Sequence, residues 1–254
     1  MVLMARTQTA PAPQLNFLFA DHLVLEDSPT RDFYKDLLRG WAHKNNNTLA
    51  VVQGFTSLIL MNDDLDENII ENVQQMRTSS LHNSTLSERV LAAGGCNRIT
   101  PQRLNLLEFL PLMESKLIEI CRVCGANMTL SLSAKAVPIT ADVSRFKEVL
   151  VELVRNAAEA ANKGGKVELL LLAPGELSPI GEGRIDLVIR NSGPVIPEER
   201  LPQVFKPFMT TKGHNHFGLG LTIAAVLSGQ MKMRLGLASG DGITTAWISA
   251  PAAI

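Results

Sequence analysis

From Pro29 onward, apolar residues recur with a helical period. Leu38, Trp41, Ala42, Asn45, Leu49, Val52, Thr56 and Ile59 fall on one stripe at about 100° per residue. The spacing predicts a helix with Ser28 as N-cap and Pro29 in the first turn, running to about Met61. Asn45 interrupts an otherwise apolar seam, and His43 lies roughly 140° from the middle of the stripe, facing away from the core. Asn47, one turn later, shares the face of His43. The acidic run Asn62–Asn68 reads as a turn opening a second helix, which continues to about Ala93 and ends at Gly94-Gly95. Its expected seam is Ile69, Val73, Met76, Ser80 and Leu91. A lone hairpin has little to bury two apolar stripes against, so pairing of two copies into a four-helix bundle is expected.

From Arg98 the period changes to that of an α/β domain. A short strand leads into a helix ending near Cys124-Gly125, followed by a strand over Met128–Ser133 and a shorter one in VPITAD. A strong helix is predicted over Val143–Ala161, closed by Asn162-Lys163-Gly164-Gly165. KVELLLLA and GRIDLVIRN read as strands joined by a Gly/Pro-rich hairpin loop, and MKMRLGLAS and TTAWISA as the last two. The division expected is a tail over residues 1–27, a helical hairpin over 28–95 and an α/β domain over 98–254, an α+β chain overall. Within the tail, Leu15–Asp27 is apolar enough to dock, at a place the pattern leaves open.

Composition narrows the class of protein. Apolar residues make up 46% of the 254 and aromatic residues 5%, so the core is mainly aliphatic. A net charge of −1 without a basic run argues against nucleic acid as a partner. No apolar run reaches the roughly 18 residues of a membrane span, and the N-terminus lacks the apolar core of a signal peptide. A soluble, cytoplasmic protein is expected, and three cysteines suit a reducing compartment. Cys121 and Cys124 form a CxxC on an apolar helix with no second pair, which reads as packing rather than redox or metal chemistry. His214 and His216 read as incidental residues of a loop.

Three stretches carry polar chemistry. Glu152 and Asn156 are one turn apart on one helix face, and an amide oxygen suits Mg²⁺ held mainly by phosphates. At the end of a strand, Asn191 offers hydrogen bonds to a purine edge and Gly193 permits close backbone approach, while Lys206 and Lys212 are available to phosphates. Gly218 and Gly220 precede a helix whose free N–H groups suit an anion. Taken singly, these stretches fit equally an ordinary surface pair, a strand-loop-helix connection and a flexible helix entry.

Together, in this order, they resemble the motifs of the two-component sensor histidine kinases. AHKNNNTLAVVQGF looks like the phosphoacceptor H box, ELVRNAAEA the N box, NSGPVIP the G1 box, FKPFMTTK the F box and FGLGLTIA the G2 box. The resemblance covers about Pro29 to Ala250. It implies a dimerisation and phosphotransfer hairpin followed by a Bergerat-type two-layer ATP-binding sandwich. It also implies that His43, with Lys44 and Asn47 beside it, takes the γ-phosphoryl group of Mg-ATP and passes it to a response-regulator aspartate. Asn156 would hold Mg²⁺. On the helix, nucleotide contacts would come from Glu152, Arg155, Asn156 and Glu159, and at the strand end from Asn191, Gly193 and Val195. Further on they would come from Lys212, Phe217, Gly218, Leu219, Gly220 and Leu221, with the loop from Lys212 to Phe217 as a lid.

The N-terminal segment is too short for a sensor domain, so a separate sensor protein is an expected partner. The sequence departs from the family pattern at Lys44 (usually an acid), Thr48 (usually proline), Asn191 (usually aspartate), and Val195 and His216 (usually glycines). Glu152 is the residue that the gyrase and Hsp90 relatives carry, where it can act as a general base. Two further functions therefore stand beside the first. One is a phosphotransfer adaptor or phosphatase with weak autokinase activity, and the other is an ATPase that does not use His43.

Overall fold

The computed structural model describes residues 17–23, 27–133, 138–172, 183–213 and 216–253. Helix α1 spans Pro29–Ile59, and the Ser28 hydroxyl accepts from the Arg31 amide to cap it. Thr48, where a proline is usual, donates its hydroxyl to the Lys44 carbonyl, and the helix passes this point without a break. Helix α2 spans Glu67–Ala93 and starts at an Asp66 cap. It stops in a Schellman motif, in which Gly95 N–H bonds Ala92 O and Cys96 N–H bonds Leu91 O. Gly95 holds φ +67° there, which a residue without Cβ adopts at little cost.

The two helices pack antiparallel, with Ala42 and Thr56 of α1 facing Val73, Ser80 and Ser87 of α2. Asn45 finds its partner across the hairpin, donating to Ser87 Oγ at 2.7 Å, which accounts for the polar break in the seam. Part of the expected seam lies elsewhere. Ile69 is 47% exposed and Met76 55%, because a hairpin core one helix wide has room only for the small residues directly between the axes. Trp41 and Ile59 are also exposed, while Leu38, Asn45, Leu49, Val52 and Leu91 are half-buried.

The second unit has one face of a six-stranded sheet covered by helices. Its first strand, β1 (Leu18–Phe19), precedes the hairpin in the chain. Strands β2 (Gln102–Leu104), β3 (Asn127–Leu132) and β4 (Ile139–Ala141) flank helices α3 (Leu106–Val123) and α4 (Val143–Ala161). Then follow β5 (Lys166–Leu171), β6 (Arg184–Ser192), α5 (Gly220–Gln230), β7 (Arg234–Gly240) and β8 (Ile243–Pro251). β2 and β4 form a separate antiparallel pair, and the sheet order is β1-β7-β8-β6-β5-β3, in which only β3–β5 is parallel. Ile185, Leu187 and Ile189 of β6 meet Phe146, Leu150 and Leu153 of α4 in an aliphatic core. The Gly/Pro-rich loop between β5 and β6 and the start of the tail fall largely outside the described residues.

Strand β1 is where the apolar N-terminal segment docks. It pairs antiparallel with β7 and closes that edge of the sheet. The Phe19 ring lies against Gly236, where a Cβ would come within 2.8 Å of it, and Arg234 stacks over the same ring at 4.3 Å. Arg234 also pairs with Asp21. Phe17 packs edge-on against Trp247. Phe19→Ala is expected to destabilise the sheet unit by about 2 kcal/mol, read as a lower urea midpoint.

Candidate functional site

A cavity of about 1000 Å³ opens between α4, the end of β6 and the entry to α5. Of the nucleotide contacts that the family resemblance implies, all but Gly193 line it. Gly193 lies behind the wall, where at φ +145° its missing Cβ would stand 2.3 Å from the Ala160 carbonyl. The sequence reading missed Arg89, Arg200, Gln203 and Thr244, which also line the cavity. Lys206 is exposed and is not among the lining residues. Of the lid segment, residues 214 and 215 lie outside the described residues, and with them the His214 reading. Among the described residues no cluster of His, Cys, Asp and Glu is arranged to hold a metal ion without a ligand's help.

Helix α4 supplies the chemistry because it is amphipathic in two directions. Its Val149, Leu150 and Leu153 face is buried in the core, and its Glu152, Asn156 and Glu159 row borders the cavity. Lys212 reaches from the loop before α5 to Asn156 Oδ1 at 3.3 Å and pairs with Glu159. Asn156 Nδ2 is buried with no hydrogen-bond partner. A hard cation bound on Asn156 Oδ1 would replace the lysine there, so the donor chemistry fits Mg²⁺. Glu152 is 7% exposed and pairs with Arg89 at 2.8 Å and Arg155 at 3.6 Å. Burial disfavours the charged Arg89 guanidinium, but the hydrogen bond and charge of Glu152 outweigh it and hold the pKa above its ordinary value.

The G2-box stretch forms the entry to α5. Leu219 is its N-cap residue, buried in the core of the sheet unit and also lining the cavity, and Leu221 follows in the first turn. Two glycines admit the cavity's shape. At Gly220, the first residue of α5, a Cβ would lie 2.7 Å from Glu152 Oε2. At Gly218, φ is +65° and a Cβ would meet the backbone of Phe208 and Met209 at 2.7–2.9 Å, so the F-box turn rests directly on it. Asn191 is 5% exposed, and its Nδ2 donates to Ser192 O at 3.0 Å. The amide oxygen is then the group suited to accept from a purine amine. Val195 lines the cavity and is 45% exposed at its mouth.

His43, Lys44 and Asn47 sit apart from the cavity, on the outer side of α1. Asn47 Nδ2 lies 3.3 Å from His43 Nε2. An amide nitrogen only donates, so in this contact the Nε2 lone pair of a neutral imidazole accepts from Asn47 and the proton sits on Nδ1. His82 of α2 packs against Phe217 with ring centroids 4.3 Å apart.

Residues 141–254 match the model of the family described as histidine kinase-, DNA gyrase B-, and HSP90-like ATPase. Over 187 residues, 74% of this chain, the sequence is 26% identical to Sporulation kinase A of Bacillus subtilis (strain 168), and it spans 29% of that kinase's length. Full-length ShkA, solved in complex with AMPPNP, superposes with a TM-score of 0.70 at 24% identity over 85% of this chain and 45% of that one. Histidine kinase ThkA, solved in complex with response regulator TrrA, gives 0.57 at 22% over 86% and 61%. The likeness to both structures is one of fold, a helical hairpin leading into an α/β domain.

The CxxC pair lies apart from the lining of the cavity. Burial pushes the Cys121 thiol up to about 11, with Cys124 adding to the effect. In folded protein at pH 8, alkylation of Cys121 is expected to run at least about 100-fold slower than for a free thiol. Mass spectrometry should show it reaching the free rate only after unfolding.

Proposed function

We propose that this relative of the sensor histidine kinases, carrying their ATPase domain, phosphorylates itself on His43 with Mg-ATP and passes the phosphoryl group to a response-regulator aspartate. The observation that carries the reading is the convergence of N-, G1-, F- and G2-box residues on one cavity, with the His43 imidazole on the exposed outer side of α1 and Nε2 engaged only by the side-chain amide of Asn47, which must swing away before attack. In the reaction the Nε2 lone pair attacks the γ-phosphorus. The bond from that phosphorus to the bridging oxygen breaks, ADP leaves with the electron pair, and the Nδ1 proton departs to solvent or to a neighbouring base.

Asn156 would be the protein ligand of Mg²⁺, an ion that neutralises β- and γ-phosphate charge when bound. Lys212 exchanges Glu159 for phosphate oxygens, and the N–H groups at the start of α5 receive the anion. Asn191 accepts from the adenine amine, and Gly193 lets the strand end approach α4. Catalysis rests on positioning and charge rather than on covalent help from the protein.

Lys44 favours a second reading. It follows His43, is exposed, and when charged accepts no proton, while Asn47 is placed to hold a water beside a phosphorylated imidazole. In that reading the chain moves or removes phosphate through His43 with little autokinase activity of its own.

Incubation with Mg-ATP labelled on the γ-phosphate separates the readings. An acid-labile, base-stable label is expected, lost in both His43→Ala and Asn156→Ala. Lys44→Asp is expected to raise its rate about tenfold by restoring a proton acceptor. Nucleotide binding without label supports the second reading. Label or hydrolysis surviving in His43→Ala overturns both.

A homodimer belongs to the same proposal. Val51, Phe55, Leu58, Met76 and Leu81 are each at least half exposed on the hairpin, an apolar surface that a second copy would cover. Light scattering of the full chain should return twice the 27.6 kDa mass, and Phe55→Glu should return the monomer.

A further inference from the structure

The hairpin contributes a wall to the cavity. His82, Leu86 and Arg89 are spaced along one face of α2, opposite the face that packs on α1. Leu86 packs against the core of the sheet unit, His82 against Phe217, and Arg89 on Glu152. The register of the hairpin fixes the height of this contact. Gly94 meets Leu38 and Ser87 meets Asn45, so Arg89 stands at the level of His43.

The location of Glu152 makes Arg89 matter. Its carboxylate abuts Gly220 at the N-terminus of α5, where phosphate would bind. An uncompensated carboxylate there repels a polyphosphate and occupies the donors the phosphate needs. Arg155 is the other cation on Glu152, but at 3.6 Å and 44% exposed it is the weaker counter-charge. Arg89 bonds the same oxygen at 2.8 Å and is the more buried.

We propose that Arg89, supplied by the hairpin, is the counter-charge that lets the Glu152 end of the cavity accept nucleotide phosphates. It is a positioning residue acting through Glu152, and it couples nucleotide affinity to docking of the ATPase domain at the height of His43. This rests on the nucleotide reading above and adds a second unit to the site.

The test is a double-mutant cycle in the full chain, with fluorescent Mg-ADP and Mg-ATP analogues followed by anisotropy. Arg89→Ala is expected to weaken binding about tenfold. In a Glu152→Gln background, with no carboxylate to neutralise, the same change is expected to cost less than about twofold. Arg89→Lys should stay within about threefold of the original chain. Arg89→Gln keeps hydrogen-bond donors but not charge, and should lose binding as Arg89→Ala does. Melting curves on every variant identify any that fail to fold. Unchanged binding in folded Arg89→Ala and Arg89→Gln overturns the proposal, as does an equal penalty with and without the Glu152 carboxylate. Absence of nucleotide binding by the original chain would instead overturn the functional reading on which this one stands.

Discussion

A carboxylate removed from water must be answered by positive charge, and Glu152 imposes that requirement on two units at once. It sits on the helix that forms the core of the sheet unit, against the first residue of α5, with a guanidinium from α2 bonded to it. The side chain that shapes the cavity floor is also one that holds the hairpin. The wider arrangement follows from this pairing. α2 must turn one face to α1 and another to the sheet unit, and the Schellman motif at Gly95 ends it where the chain must swing into β2. Gln230 at the end of α5 donates to the Gly95 carbonyl and ties that corner a second time.

The lysine on the other side of the cavity plays a comparable part under different conditions. Lys212 spans Asn156 and Glu159, neither of which needs it permanently, since Glu159 is near solvent and Asn156 is neutral. Its partners are exchangeable, whereas those of Glu152 are not, because Glu152 is too deeply buried to be satisfied by water. The cavity thus combines a fixed ion pair shared with the hairpin and a replaceable one belonging to the loop.

Much of this was legible from the chain itself. Periodicity located both hairpin helices and α4 to within a residue or two, because each carries a long stripe whose period no short strand imitates. The glycines were legible for a related reason, since a missing side chain marks a close approach. Arg89 was not legible. A single arginine on the polar side of a helix looks like any solvated cation, and its partner is 63 residues away. β1 was hidden because two residues carry no period. Ile69 and Met76 were assigned to the seam on pattern alone, although period identifies the apolar side of a helix without saying whether the same chain or a second copy covers it.

The short strand at the sheet edge bears on how the molecule comes into being. Asp21 and Arg234, beside the β1–β7 pairing, are separated by 213 positions. A ribosome releasing this chain exposes Leu18 and Phe19 long before β7, which lies more than two hundred positions further on. The edge of the sheet can therefore be sealed only after β7 has emerged, and until then an apolar pair waits without its neighbour. Contacts this remote in sequence slow folding, because the loop entropy is lost before the pairing repays it. The hairpin helices, whose contacts are local, can form long before.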